Sequence, residues 1–327
     1  MVMVRIVSWV LMAVFFSVTW VSAEDTHAAL RRAWDLEKAG RPGDAISIYR
    51  DLLHSDPQCL EAEVGLGRSL YATGEYAQAA SGFEEALRLR PGDLKVLNWL
   101  GRSYLQEKQP EKVLELFSRK ATSGGNIASI HLLLARAYDA QDKLREANQE
   151  IQEALRLDPH CRGAHFAQGF IAWSTGDVVT AEKSFRQELD LNPRSILAAY
   201  YLAEVLEKLG RFTEAEASLT RTGRDAPETY LFHLGLGKVH ERKKEYAAAS
   251  RQYQEAIRLD PKQPEAHYRL ALVLRGLGET AKANEQFQAF SHLQMHSDMG
   301  MGQGMGRMRP RLPDFDDQQT ASARARR

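Results

Sequence analysis

Four histidines, His131, His165, His233 and His267, and a Cys161 flanked by His160 and His165 are the side chains of this 327-residue chain best suited to hold a metal. Imidazole and thiolate are ligands that zinc and the softer transition metals prefer. A second group lies near the C-terminus, where His292, Met295, His296, Met299, Met301, Met305 and Met308 offer imidazole and thioether, a set suited to Cu(I). Gly65-Leu66-Gly67 and Gly235-Leu236-Gly237 look like the start of a phosphate-binding loop. Arg68, Arg102 and Arg136 recur at a fixed step, and guanidinium groups so spaced suit the carboxylates of an extended peptide through bidentate charge-assisted hydrogen bonds. No Ser/His/Asp, Cys/His or HExxH arrangement accompanies them, so nothing in the chain points to an enzyme.

The elements that must position these residues follow one period. Prolines stand at Pro57, Pro91, Pro159, Pro193, Pro227 and Pro261, in steps of 34 with one gap, where Gly125 stands instead. Small residues keep the same frame without interruption: Ala33, Gly67, Gly101, Ala135, Gly169, Ala203, Gly237 and Ala271. A second ladder runs Ala45, Ala79, Val113, Ala147, Ala181, Ala215, Ala249 and Ala283. Four places after it comes a ladder of large residues: Tyr49, Phe83, Phe117, Ile151, Phe185, Leu219, Tyr253 and Phe287. Within one unit, apolar or small residues recur at three- and four-residue steps, the helix period, and a glycine such as Gly74 or Gly176 interrupts them where the chain must reverse. Each unit therefore reads as a helical hairpin. Its small residues let two helices approach closely, its large residue fills the space beside them, and proline ends it because proline cannot sit in a helix interior.

This pattern resembles the tetratricopeptide repeat family, whose 34-residue unit places small, aromatic and terminal proline residues in this order. The resemblance covers eight consecutive units starting near residues 26, 60, 94, 128, 162, 196, 230 and 264. It implies an all-α fold, a right-handed superhelical solenoid of antiparallel helix-turn-helix repeats over residues 24–297. The third unit departs from the pattern at Val113 and Gly125, and the eighth has no terminal proline.

That architecture reassigns most of the chemical candidates. The Gly-Leu-Gly triplets fall inside first helices with no strand before them, and one glycine of each belongs to the small ladder, so packing accounts for them. The four histidines share one place in the repeat and stand at least a whole repeat apart, too far to meet on one metal. Cys59 and Cys161 end units that are three periods apart, whereas disulfide Cα atoms lie within roughly 7 Å, so both are expected as free thiols. The His160, Cys161 and His165 cluster reads as a loop feature. No metal or other cofactor is implied.

Stacked hairpins present their first helices along an inner groove, and the fifth, ninth and twelfth places of each unit form the stripe expected to face it. The expected peptide-binding residues are Arg68, Asn98, Arg102 and Arg136, followed by the aromatic Phe166, Phe170, Trp173, Tyr200 and Tyr268, residue types typical of binding hot spots. The Lys and Asn set with which some members of the family clamp a C-terminal carboxylate is not reproduced. The function this implies is a non-enzymatic scaffold for protein–protein interaction, with a peptide or protein segment as partner.

The two ends of the chain differ from the repeats. Arg5 precedes an uncharged apolar run, Ile6 to Val21, and Val21-Ser22-Ala23 supplies small residues before Glu24-Asp25, the pattern of a secretory signal in residues 1–23. As a helix the run covers about 24 Å at about 1.5 Å per residue, short of the roughly 30 Å apolar core of a bilayer. A periplasmic or secreted location is expected, an uncleaved N-terminal anchor being the alternative. Residues 298–327, rich in Met and Gly and ending in Arg324-Ala325-Arg326-Arg327, are expected to be a disordered tail. Self-assembly through an uncapped eighth unit ending in Phe290, Leu293 and Met295, and metal handling by the tail, are the other readings. Lys plus Arg and Asp plus Glu are both 43, a balance that argues against nucleic acid as partner. Setting aside Arg5 and the six arginines and four aspartates from residue 291 onward, the repeats retain 36 basic and 39 acidic side chains.

Overall fold

The computed structural model describes residues 23–118, 127–225, 229–298 and 310–313. The predicted export segment, Gly125, Pro227, the Met/Gly run at 299–306 and the basic end at 324–327 lie outside the described residues. The chain divides into two compact units, Met1–Gln109 and Pro110–Arg327. The boundary falls inside the third repeat, whose sequence departs from the period at Val113 and Gly125.

The described residues form sixteen helices, two to a repeat. In the first unit α1 (Ala23–Lys38) and α2 (Pro42–Ser55) make the first hairpin, α3 (Leu60–Thr73) and α4 (Tyr76–Leu89) the second, and α5 (Leu94–Gln106) the first half of the third. The second unit begins with α6 (Pro110–Ser118) and continues through α7 (Ala128–Ala140) and α8 (Leu144–Leu157), then α9 (Ala164–Thr175) and α10 (Val178–Leu191). It is completed by α11 (Ile196–Lys208) and α12 (Phe212–Asp225), α13 (Tyr230–Arg242) and α14 (Tyr246–Leu259), and α15 (Pro264–Gly276) and α16 (Thr280–Asp298). Within each unit consecutive helices pack on one another, the arrangement of a repeat stack. No helix among the described residues is long and apolar enough to cross a membrane.

The ladders explain the packing. A Cβ added at Gly67 would lie 2.7 Å from the Phe83 ring, at Gly169 2.8 Å from Phe185, and at Gly237 2.4 Å from Tyr253. The small residue of each first helix is thus the seat of the large residue of its second helix. Gly65 is seated in the same way against Tyr49 of the preceding repeat, which confirms the packing role of the Gly-Leu-Gly triplets. Asp56, Asp158 and Asp260 precede three of the terminal prolines, and each carboxylate accepts the amide of the residue two further on, closing the turn between repeats.

The turn inside each hairpin needs a left-handed residue at the fifteenth place of the repeat. Glycine supplies it at Gly40, Gly74, Gly176, Gly210 and Gly278, with φ from 69° to 89°. Lys108, Asp142 and Lys244 hold the same conformation at φ 58°, 61° and 62°.

Candidate peptide-binding surface

In the first unit the two arginine places are engaged inside the repeats. Glu37, the twelfth place of α1, forms an ion pair with Arg68 of α3 and accepts the Tyr49 hydroxyl at 2.7 Å with its other oxygen. Burial, reinforced by that carboxylate, pushes the Tyr49 phenol far above its ordinary value. Arg102 is buried, its guanidinium carbon 4.6 Å from the centre of the Trp99 ring and 5.0 Å from that of Tyr71. A cation held over two rings is stabilised by about 1 kcal/mol or more. Asn98 is half-buried on α5. The expected ladder of open guanidiniums is therefore corrected: Arg68 and Arg102 tie neighbouring repeats together.

In the second unit Arg136 lies half-buried on α7. Phe166 and Phe170, on α9, are 1% and 0% exposed and sit in a ring cluster with Phe185, Trp173 and Tyr201, centroid separations running from 4.8 to 5.9 Å. Tyr200 is buried as well, and its hydroxyl accepts the Lys238 ammonium at 3.2 Å. These three aromatics are core in the chain as it stands, a second correction. Phe166 and Phe170 pack on Tyr201, and Tyr200 meets Lys238, each in the adjacent repeat. Trp173, half-buried, and Tyr268, 42% exposed, remain at the surface.

Lys238 and Glu204 occupy the ninth places of successive repeats and form an ion pair, with Glu265 3.7 Å from the same ammonium. Burial pulls the Lys238 ammonium down to about 8 against the favourable pull of Glu265. Glu207, a twelfth-place residue of α11, is raised by burial to about 7, with Arg242 at 3.7 Å opposing the rise.

The tail provides the arrangement that sequence reasoning missed. Pro310-Arg311-Leu312-Pro313 lies against the α7–α8 hairpin. The Arg311 guanidinium grips the Asp142 carboxylate with both arms, Nη2 to Oδ2 at 2.8 Å, and donates also to the backbone carbonyl of Asp139. The Leu312 amide donates to Asp139 Oδ2 at 2.7 Å. Asp139 is 1% exposed and holds the twelfth place of its repeat, on the expected groove stripe. The Leu312 side chain is 6% exposed and belongs to the apolar cluster that contains Phe166 and Phe170, against which Tyr138 and Trp173 pack.

The energies are close to balance. Burying a leucine contributes about 2 kcal/mol, and an amide bonded to a buried carboxylate about 2 more. The Arg311–Asp142 pair is solvated, so it adds under about 1 kcal/mol. Ordering four residues costs roughly 1 kcal/mol each, since two are prolines with φ already set. A contact of this kind forms in one chain and yields to a better competitor. Two signals in the sequence mark it: an arginine–leucine pair between prolines in a tail otherwise poor in aliphatic residues, and an aspartate at a turn place where five other repeats have glycine.

The histidine ladder is structural. His131 pairs with Glu150 at 2.6 Å, while His233 and His267 bond Gln252 and Gln286 at 2.8 Å, each partner nineteen residues on in the second helix. His165 and His267 also reach the carbonyls of Pro159 and Pro261. Among the described residues no three His, Cys, Asp or Glu side chains converge on a common point. Cys59 and Cys161 are free and buried, and burial pushes the Cys161 thiol up to about 11, which makes it a poor nucleophile.

Comparison with known proteins bears on the family and the fold. The family profile described as the tetratricopeptide repeat matches residues 30–93, 64–126, 132–196 and 171–228, and a TPR repeat profile matches 237–278. The chain belongs to the tetratricopeptide repeat family. It is 30% identical over 151 residues to anaphase-promoting complex subunit 3 of Schizosaccharomyces pombe, a match covering 46% of this chain and 23% of that protein. It is 26% identical over 218 residues to cellulose synthase operon protein C of Xanthomonas axonopodis pv. citri, covering 62% and 14%. The chain thus spans less than a quarter of the length of either relative. In structure it resembles a tetratricopeptide repeat protein from Parabacteroides merdae, with a TM-score of 0.60 and 14% identity over 77% of this chain and 100% of that one. That likeness bears on the fold alone. Tetratricopeptide repeats mark a scaffold for protein–protein interaction.

Proposed function

We propose that this protein is a non-enzymatic scaffold, exported to the cell envelope, that binds an extended segment of a partner protein on its stacked first helices. The observation that carries the reading is the seat on α7. A stretch of chain from the tail already lies there, with the Leu312 amide on a buried groove-stripe carboxylate and the Leu312 side chain in the apolar cluster. Export rests on the charge, apolar run and small residues of residues 1–23. Crosslinking in the native envelope, followed by titration of the recovered partner's segment into purified protein, tests the scaffold reading. Saturable one-to-one binding supports it, and crosslinked species that show none overturn it. N-terminal sequencing of the mature protein should begin at Glu24; a chain beginning at Met1 removes cleavage.

A second reading, end-to-end self-assembly, draws on α16. Phe287, Phe290 and Leu293 are only half-covered there and Met295 is exposed, with no further helix packed on them among the described residues. Sedimentation that shows a monomer at every concentration eliminates it.

A further inference from the structure

The contact between the tail and α7–α8 has the makings of a recognition site. Asp142 meets Arg311 in a fork-to-fork geometry that lysine cannot reproduce. Asp139 reads a backbone amide, which fixes the register of the segment rather than the identity of a side chain. Leu312 fills an apolar place, and Pro313 after it biases its backbone toward an extended conformation. Asp142 also stands in a left-handed turn conformation that glycine adopts more easily. The residue present is thus the less favourable one for the turn and the useful one for holding a cation.

We propose that this site reads an arginine–leucine pair in an extended, proline-flanked segment, and that residues 310–313 are its resident occupant, displaced when a partner segment carrying the same pair arrives. The inference rests on the scaffold reading and names the partner chemistry for one place on it. The tail belongs to the same chain, so it competes for the site as an intramolecular ligand. A partner must outcompete it, and weak or mismatched segments are disfavoured. The tail acts as a built-in threshold for what the scaffold accepts.

The test uses full-length protein and a fluorescein-labelled peptide of residues 308–315 followed by anisotropy. The full-length variant Arg311→Ala/Leu312→Ala should bind the peptide about two- to fivefold more tightly than the wild type, whose own tail competes in proportion to its occupancy. Peptides carrying Arg311→Glu or Leu312→Asp should bind the vacated variant at least tenfold more weakly than the natural sequence. Because these peptide changes leave the protein untouched, a folding defect cannot imitate their effect. Equal uptake by wild type and vacated variant overturns resident occupancy. Absence of uptake by the vacated variant, or indifference to either peptide change, overturns the recognition site. In either of the last two cases, a partner segment that binds saturably elsewhere leaves the scaffold reading standing.

Discussion

The two units use the same places of the repeat in different ways. In the first, the charges on the groove stripe are paired within the stack: Glu37 holds Arg68, and Arg102 lies over Trp99 and Tyr71. In the second, the stripe divides into two parts. Glu204 and Lys238 form a buried pair, while Asp139 turns its carboxylate to a segment from the far end of the chain. Repeat proteins keep their scaffold residues and vary the exposed places, so a repeated charge identifies a position and leaves its task open. What distinguishes the units is which charges already have partners inside the array.

The scaffold itself should be indifferent to this division, and the largest effects test that. Phe83→Ala in the first unit and Phe185→Ala in the second each remove a fully buried ring seated on a ladder glycine. Each should lower unfolding free energy by about 3–5 kcal/mol, measured by urea denaturation. A loss in one unit twice that in the other would show that the two stacks are not built alike.

Next come the charges. Lys238→Met leaves the Glu204 carboxylate, itself mostly buried, without its cation, and should cost about 3 kcal/mol. The double variant Glu204→Leu/Lys238→Met should recover most of that loss, since an apolar pair of similar volume avoids the desolvation penalty. Arg68→Ala in the first unit should cost less, about 1–2 kcal/mol, because the Arg68 side chain is a third exposed and the pair is partly solvated. Equal losses for Lys238→Met and Arg68→Ala, by the same denaturation measurement, would erase the distinction between buried and half-open pairs.

These contrasts also show what was legible in the sequence. The period, hairpins, glycine seats and packing role of the histidines follow from spacing, because a stack that buries each repeat on the next must place small and large residues in phase. The groove was legible as a stripe of places and not as a surface. Whether Phe170 faces a ligand or the adjacent repeat depends on the neighbouring helix, which spacing along one chain does not set. Arg102 escaped for a related reason, since Tyr71, one of the two rings over it, comes from the preceding repeat. The tail contact was hidden because composition averages over thirty residues, and four of them carry the interaction.

A buried carboxylate of the second unit makes stability depend on pH. Burial raises Glu207 from its ordinary 4.5 to about 7, so between those values the folded protein holds a proton that the unfolded chain has released. Stability from this group is therefore fully present below about pH 4.5 and falls as pH rises to about 7, by roughly 2–3 kcal/mol. Glu207→Gln should remove that slope from denaturation midpoints measured between pH 5 and 7.5, and leave the protein more stable than wild type at pH 7.5. A slope unchanged in the variant would assign the dependence to another group.

The smallest effect carries the most information about the second unit. Asp142→Gly places at the fifteenth position the residue found there in five other repeats, relieving a left-handed conformation at φ 61°. The repeat stack should gain about 0.5–1 kcal/mol, offset in part by the loss of glycine's freedom on folding and of the solvated Arg311 pair. At the same time the bidentate hold on Arg311 disappears. The Leu312 amide, bonded to Asp139 and shielded in the wild type, should then exchange with deuterium about two- to fivefold faster. Unchanged or higher thermal stability together with a deprotected tail would mean that Asp142 serves the contact rather than the turn. Lower stability with a protected tail would mean the reverse, and would return the second unit to the pattern of the first, in which every stripe charge works inside the stack.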